Sequence, residues 1–150
     1  MRLAAALSHR ADLATRADAL AQRAIRAAVT QEGTTPVDDP TQLIAEHDAV
    51  LAELEQLVVR INLTNAATDV DGVPLTAALA RRDTLRRRHR TLTTLADAST
   101  PFADRMRGAE LRLLPTSDVA SLRSAADDTA KALRELDLRI QEVNWSTELR

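Results

Sequence analysis

The sequence predicts an all-α protein: a long-helix antiparallel bundle with coiled-coil-like packing and room for one short β-hairpin or strand in its connections. Three observations predict this. Val119, Leu122, Ala126, Thr129, Leu133, Leu136, Ile140 and Val143 follow one another at intervals of 3, 4, 3, 4, 3, 4 and 3. Only a helix gathers these positions on one side, and their spacing suits packing against a second helix. The composition agrees: 45 % of the residues are hydrophobic, but 28 of them are Ala, and the rest of the chain favours Leu, Arg and Glu, which are good helix formers. Phe102 and Trp145 are the only aromatic residues, whereas strands are usually built from aromatic and β-branched side chains. Three Gly in 150 residues leave little material for tight turns.

The length suits one helical domain over residues 1–150, with helices at about 3–30, 40–64, 76–97 and 118–144. Helix one carries the seam Leu3, Ala6, Arg10, Leu13, Ala17, Leu20, Ala24 and Ala27. Its small Ala side chains would let a neighbour come close, near the ~8 Å end of the usual interaxial range. Gly33 is its expected C-terminal cap. Asp39 can cap helix two, with Pro40 in the first-turn position that tolerates proline.

Helix two has one edge of Leu43, His47, Val50, Leu54, Leu57 and Ile61. Ile44, Leu51 and Val58 widen it, enough for two neighbours. Residues 65–74 break the pattern, and Asp71-Gly72 is a turn signal suited to a hairpin tip. Helix three, with Thr76 as its N-cap, carries Leu75, Ala78, Arg82, Leu85, His89, Leu92 and Ala96, with Leu79 and Leu95 alongside. Residues 99–117 are the least regular; Glu110-Leu111-Arg112-Leu113-Leu114 has the make-up of a short strand. Ser117 or Asp118 begins helix four. Short connections make helices one to three successive antiparallel neighbours.

A net charge of −2 gives no bulk attraction to polyanions. No Cys is present, so disulfides, thiolate nucleophiles and Cys-based zinc sites are excluded. That usage fits a cytoplasmic protein. Arg10, Asp12 and Arg16 interrupt the apolar start before a signal-peptide h-region can form. No segment approaches the ~18 apolar residues of a membrane span.

The stretch Arg81-Arg82-Asp83-Thr84-Leu85-Arg86-Arg87-Arg88-His89-Arg90 can be a phosphate-backbone footprint or a charged helix facing an acidic one. Helix two supplies Glu46, Asp48, Glu53 and Glu55, with Glu53 and Glu55 expected near the level of Arg86 to Arg88. The Arg point several ways and no aromatics interleave, so nucleic acid is not an expected partner. His47 and His89 fall on seam positions. Metal-binding spacings such as His at i and i+4 are absent, so no metal and no cofactor are expected. Asp69-Val70-Asp71-Gly72 resembles a piece of a calcium loop, but Ala67 and Ala78 stand where that loop needs carboxylates. Phosphate loops, nucleophile elbows and zincin helices are missing, so no catalytic residue is assigned.

Polar residues gather near the expected helix ends: Arg10, Asn62, Asn65, Arg82, Asp83, Gln141 and Asn144. A helix hairpin folded around Pro36 brings Arg10 level with Asn62. The set is therefore a candidate buried polar network that fixes register. Trp145 lies two residues past Val143 and would point to water if the helix ran straight. Because a large apolar side chain dominates packing where it is used, the helix is expected to stop or bend at Asn144 and fold Trp145 onto another helix or another subunit.

The chain resembles the DIP-type bacterial proteins, some of which are labelled septicolysin. The matching segments are Leu3-Ala4-Ala5-Ala6-Leu7, Gln31-Glu32-Gly33, Asp38-Asp39-Pro40, Arg60-Ile61-Asn62-Leu63-Thr64-Asn65, Leu75-Thr76-Ala77-Ala78-Leu79-Ala80-Arg81-Arg82-Asp83 and Gln141-Glu142-Val143-Asn144-Trp145-Ser146-Thr147-Glu148-Leu149. The resemblance implies a long-helix, all-α fold and a homo-oligomer, and it supplies no catalytic residue. The septicolysin label implies a pore-forming haemolysin. The leading expectation is a non-enzymatic, self-associating helical scaffold; a septicolysin-like pore-forming or membrane-active protein comes second, and a nucleic-acid-binding module using helix three comes third.

Overall fold

The computed structural model describes residues 1–34, 37–100 and 114–150. The expected strand at 110–114 lies outside them except for Leu114. The chain is all-α; among the described residues 76 % are helical and one two-stranded antiparallel ribbon is present. Its elements are α1 (Leu3–Arg26), α2 (Pro40–Ala66), β1 (Asp69–Val70), β2 (Val73–Pro74), α3 (Leu75–Ala98) and α4 (Val119–Ser146). They fall into two compact units, one of Met1–Asp69 with Glu142–Arg150 and one of Val70–Gln141.

In the first unit α1 and α2 pack antiparallel. His9 Nε2 lies 3.0 Å from Glu53 Oε1, and Arg23 NH2 lies 2.6 Å from Asp38 Oδ1. The Ala-rich seam does what its small side chains allow: the two backbones approach within 8 Å, Cα to Cα. Leu3, Ala6, Leu13, Ala17, Leu20 and Ala24 of α1 are buried, as are Leu43, Val50, Leu57 and Ile61 of α2. Each fully buried leucine or isoleucine contributes about 1.5–3 kcal/mol relative to exposure. Arg10, expected in the seam, is exposed.

α1 is shorter than the spacing predicts. It stops at Arg26, where the Ala27 amide closes onto the Arg23 carbonyl at 3.0 Å. Gly33 does not cap it; with φ +83° it turns the loop instead, beside a Thr34 N–H bond to the Gln31 carbonyl. Arg23 and Arg26 in the last turn oppose the negative end of the helix dipole. α2 starts as expected: the Asp39 carboxylate accepts from Thr41 N at 2.9 Å and Pro40 opens the helix.

No side chain caps α1, because Arg2 occupies the N-cap position. The C-terminal tail takes over. The Thr147 carbonyl accepts from Leu3 N at 2.9 Å, and Leu149 N donates to the Met1 carbonyl at 2.8 Å. Arg2 and Glu148 thereby form an isolated antiparallel bridge. One of the orphan amides of the first helical turn is satisfied by backbone rather than by a Ser or Asp side chain. Thr64, fully buried, ties the tail to α2: its hydroxyl donates to the Arg60 carbonyl at 2.8 Å and accepts from Arg150 N at 3.0 Å.

In the second unit the hairpin turns on Asp71 and Gly72, at φ 52° and 81°. Positive φ at both central residues is the primed turn that matches strand twist. α3 begins at Leu75 behind Pro74, one residue before the expected cap Thr76, and no side chain caps it. α4 is capped by Asp118, whose Oδ1 accepts from Ala120 N and Ser121 N and whose Oδ2 accepts from Ser121 Oγ at 2.7 Å. These bonds, led by the Ser121 hydroxyl, hold the Asp118 carboxyl below the usual carboxylate range. Arg86 of α3 meets Asp137 of α4, and Arg90, further along α3, lies by Leu133, earlier on α4, so this pair is antiparallel too. The α4 seam faces inward as its spacing predicts: Ala126, Thr129, Leu136 and Ile140 are buried, and Val119, Leu122, Leu133 and Val143 half-buried. No helix among the described residues is long and apolar enough to cross a membrane.

Candidate functional site

Two surfaces carry chemistry beyond core packing, one in each unit. In the second unit, Arg82, Arg86 and Arg90 stand at four-residue intervals, which makes one row along α3. The first two are matched by carboxylates. Arg82 lies 3.2 Å from Asp83 and 3.9 Å from Asp137. Arg86 lies 3.2 Å from Asp137 and 3.8 Å from Asp83. The acidic partner of this row is therefore α4, not Glu53 or Glu55 as the sequence suggests; Glu53 pairs with His9. Arg139 Nε, shielded from water, has the Asp71 carboxylate 2.5 Å away in an ionic contact without hydrogen-bond alignment.

Past Asp137 the row opens into a basin of about 390 Å³, lined by Arg86, His89, Arg90, Thr93, Thr94 and Leu133. Thr84, Thr91 and Thr129 turn their hydroxyls back onto the carbonyl four residues earlier, as does Thr100 just past the end of α3. Among the described residues, Thr93 and Thr94 make no such bond, and Arg90 has no carboxylate within ion-pair distance. His89, a seam position, borders the basin.

In the first unit the notable surface is the outer edge of α2. Ile44 and Leu51 lie seven residues apart, nearly in line along the helix, and remain 46 % and 41 % exposed. Val58 continues the line, with the exposed Val59 and Leu63 beside it. Asp48 and Glu55 run parallel, also seven apart and exposed. The extra width of this helix, legible in the sequence, is thus left uncovered by α1.

Trp145 does not fold inward. α4 continues two residues beyond Asn144, held by the Ser146 hydroxyl bonding the Glu142 carbonyl at 2.9 Å, and Trp145 is 68 % exposed. The polar set falls in both units. In the first unit Arg10 and Asn62 are exposed, Asn65 is buried and Asn144 half-buried, and no side-chain hydrogen bond among the described residues joins them. Arg10 is not level with Asn62, because the His9–Glu53 pair puts residues near Ala52 opposite it. In the second unit Arg82 and Asp83 do pair, while Gln141 is exposed. What sequence reasoning missed is Thr64, whose buried hydroxyl organises the tail; nothing in the spacing marks it. His47 sits half-buried beside Asp48 at 3.3 Å. No group of three or more His, Asp or Glu among the described residues converges as a metal site.

The model of DUF6847, a family of unknown function, matches residues 10–149. The chain is also similar to the crystal structure of a functionally unknown conserved protein from Corynebacterium diphtheriae, at 36 % identity over 100 % of this chain and 99 % of that one, with a TM-score of 0.95. No curated protein matches.

Proposed function

The chain belongs to DUF6847, a family of unknown function, and we propose that it is a non-enzymatic helical interaction protein that self-associates as a cytoplasmic scaffold. The observation that carries this reading is the uncovered α2 edge of Ile44 and Leu51. Single exposed hydrophobics are ordinary; a line of them at heptad spacing is a surface for another helix. The acids beside it, Asp48 and Glu55, require cations on whatever covers it. A second copy supplies them: Arg81, Arg88 and Leu95 are exposed on α3, again seven residues apart. Two such contacts, exchanged reciprocally, close a twofold dimer.

Light scattering coupled to size exclusion tests this. The expected mass at micromolar concentration is a multiple of 16.4 kDa. Leu51→Lys and Arg88→Glu should each give monomer with unchanged helicity, and Glu55→Arg should restore association to Arg88→Glu. A constant 16.4 kDa mass at all concentrations would sink the proposal. Dye release from vesicles by the wild-type chain would favour the septicolysin-like, membrane-active alternative instead.

A further inference from the structure

We propose that the basin between α3 and α4 binds a small phosphate monoester, with its phosphate between Arg86 and Arg90 and its organic part over Leu133. The residues that line it include two arginines one helical turn apart, a histidine on the same stretch of α3 and two threonines whose hydroxyls make no bond to their own helix. Guanidinium forks bind phosphate oxygens bidentately, and hydroxyls and imidazole can supply further donors to a tetrahedral oxyanion. A carboxylate, with two oxygens, would leave most of these donors idle. The volume of about 390 Å³ exceeds what a bare phosphate needs and falls in the range of small-molecule pockets. Leu133 gives the surplus space an apolar floor.

The surrounding charges favour this position over the rest of the row. Asp83 and Asp137 already neutralise Arg82 and Arg86 at the hairpin end of α3. Arg90 stands beyond them with no acidic partner among the described residues. An incoming phosphate would complete Arg90 and share Arg86 with Asp137. The same acids argue against a nucleic-acid backbone. A polyanion tracking α3 would meet Asp83 and Asp137 within the row, and among the described residues no aromatic side chain lines the basin to stack a base.

Isothermal titration of the full chain with ribose 5-phosphate, inorganic phosphate and a ten-nucleotide single-stranded RNA tests the inference. Ribose 5-phosphate is expected to saturate one site at about 1 mM or tighter. Arg90→Ala should weaken it about tenfold, the loss of a charge-assisted hydrogen-bonded pair. Arg16→Ala, which removes the same charge from an exposed position on α1, should leave it unchanged. Asp137→Asn should tighten binding by releasing Arg86, a gain that misfolding cannot mimic. No saturation, or equal losses in Arg90→Ala and Arg16→Ala, would overturn the site. Inorganic phosphate binding as tightly as ribose 5-phosphate would overturn the assignment to a monoester. RNA binding more tightly, with steep salt dependence, would make the surface a polyanion footprint.

Discussion

Arg60 and Arg150, 90 residues apart in sequence, are joined by a hydrogen bond of 2.8 Å from the Arg60 Nε to the Arg150 carbonyl oxygen. Two residues of like charge meet because one contributes its side chain and the other its backbone. Beside them the Thr64 hydroxyl links the Arg60 carbonyl to the Arg150 amide. Arg60 and Thr64 thus hold Arg150 against the end of α2.

Thr64→Val should be costly for its size. The methyl group fills the place of the hydroxyl, but the Arg150 amide loses its acceptor. The expected loss is about 1–3 kcal/mol, that of an unpaired group. Thr64→Ser should retain most of the stability. Urea unfolding measures the loss, and hydrogen exchange at the Arg150 amide localises it. Equal stability of the Val and native proteins would show that water serves the tail as well as Thr64 does.

Enlarging the α1 seam should push the helices apart. Ala17, on the buried α1 seam, is 4 % exposed. Ala17→Leu is expected to destabilise by about 1–3 kcal/mol through overpacking. Leu at the exposed Ala19 is the matched control, with little effect expected. Thermal unfolding of both variants compares them directly.

The α4 cap should weaken in acid. The folded Asp118 carboxyl titrates below its ordinary value of about 3.9. Its contribution is therefore complete above that ordinary value and is lost as pH falls through the folded one. Asp118→Asn keeps a capping oxygen and removes the titration. Native minus variant stability, measured by urea between pH 6 and pH 2, should fall below about pH 4. A flat difference would mean the carboxylate charge adds nothing to the cap.

Trp145→Ala should barely alter the stability of an isolated chain, within about 0.5 kcal/mol, because the indole is exposed. Its emission should be water-like and open to iodide in dilute solution. A blue shift that grows with concentration would place it under a partner copy. Protected emission at every dilution would contradict the exposed position.

The helices themselves were legible because repeating spacing reports a local property. Eight residues from Val119 to Val143 point inward for the reason their intervals predict, and Asp39-Pro40 announces α2. Register was not legible. Gln31, not Pro36, lies midway between His9 and Glu53, and that offset moves Arg10 away from Asn62. Where a helix hairpin folds depends on how both ends of its loop are tied. Arg23 does this through Asp38, a contact between residues with no periodic relation. Trp145 shows a second limit. A preference for burying indole is an average over proteins, whereas the last turn of α4 is decided locally by the Ser146 hydroxyl and by Thr147 N–H bonding the Val143 carbonyl. The basin escaped notice because Arg90 and Leu133 are brought together only by tertiary structure.

The bridge between Arg2 and Glu148 also sets an order of events during synthesis. α1 and α2 leave the ribosome early and can pair as a local hairpin within microseconds to milliseconds. Their unit stays open at one end until residues 147–150 emerge, since these supply the acceptor for Leu3 N and the donor to Thr64. A nascent chain stalled before Thr147 would hold a paired hairpin with a frayed first turn. Arrested chains of increasing length, probed by brief proteolysis at α1, should become resistant in one step as residues 147–150 emerge.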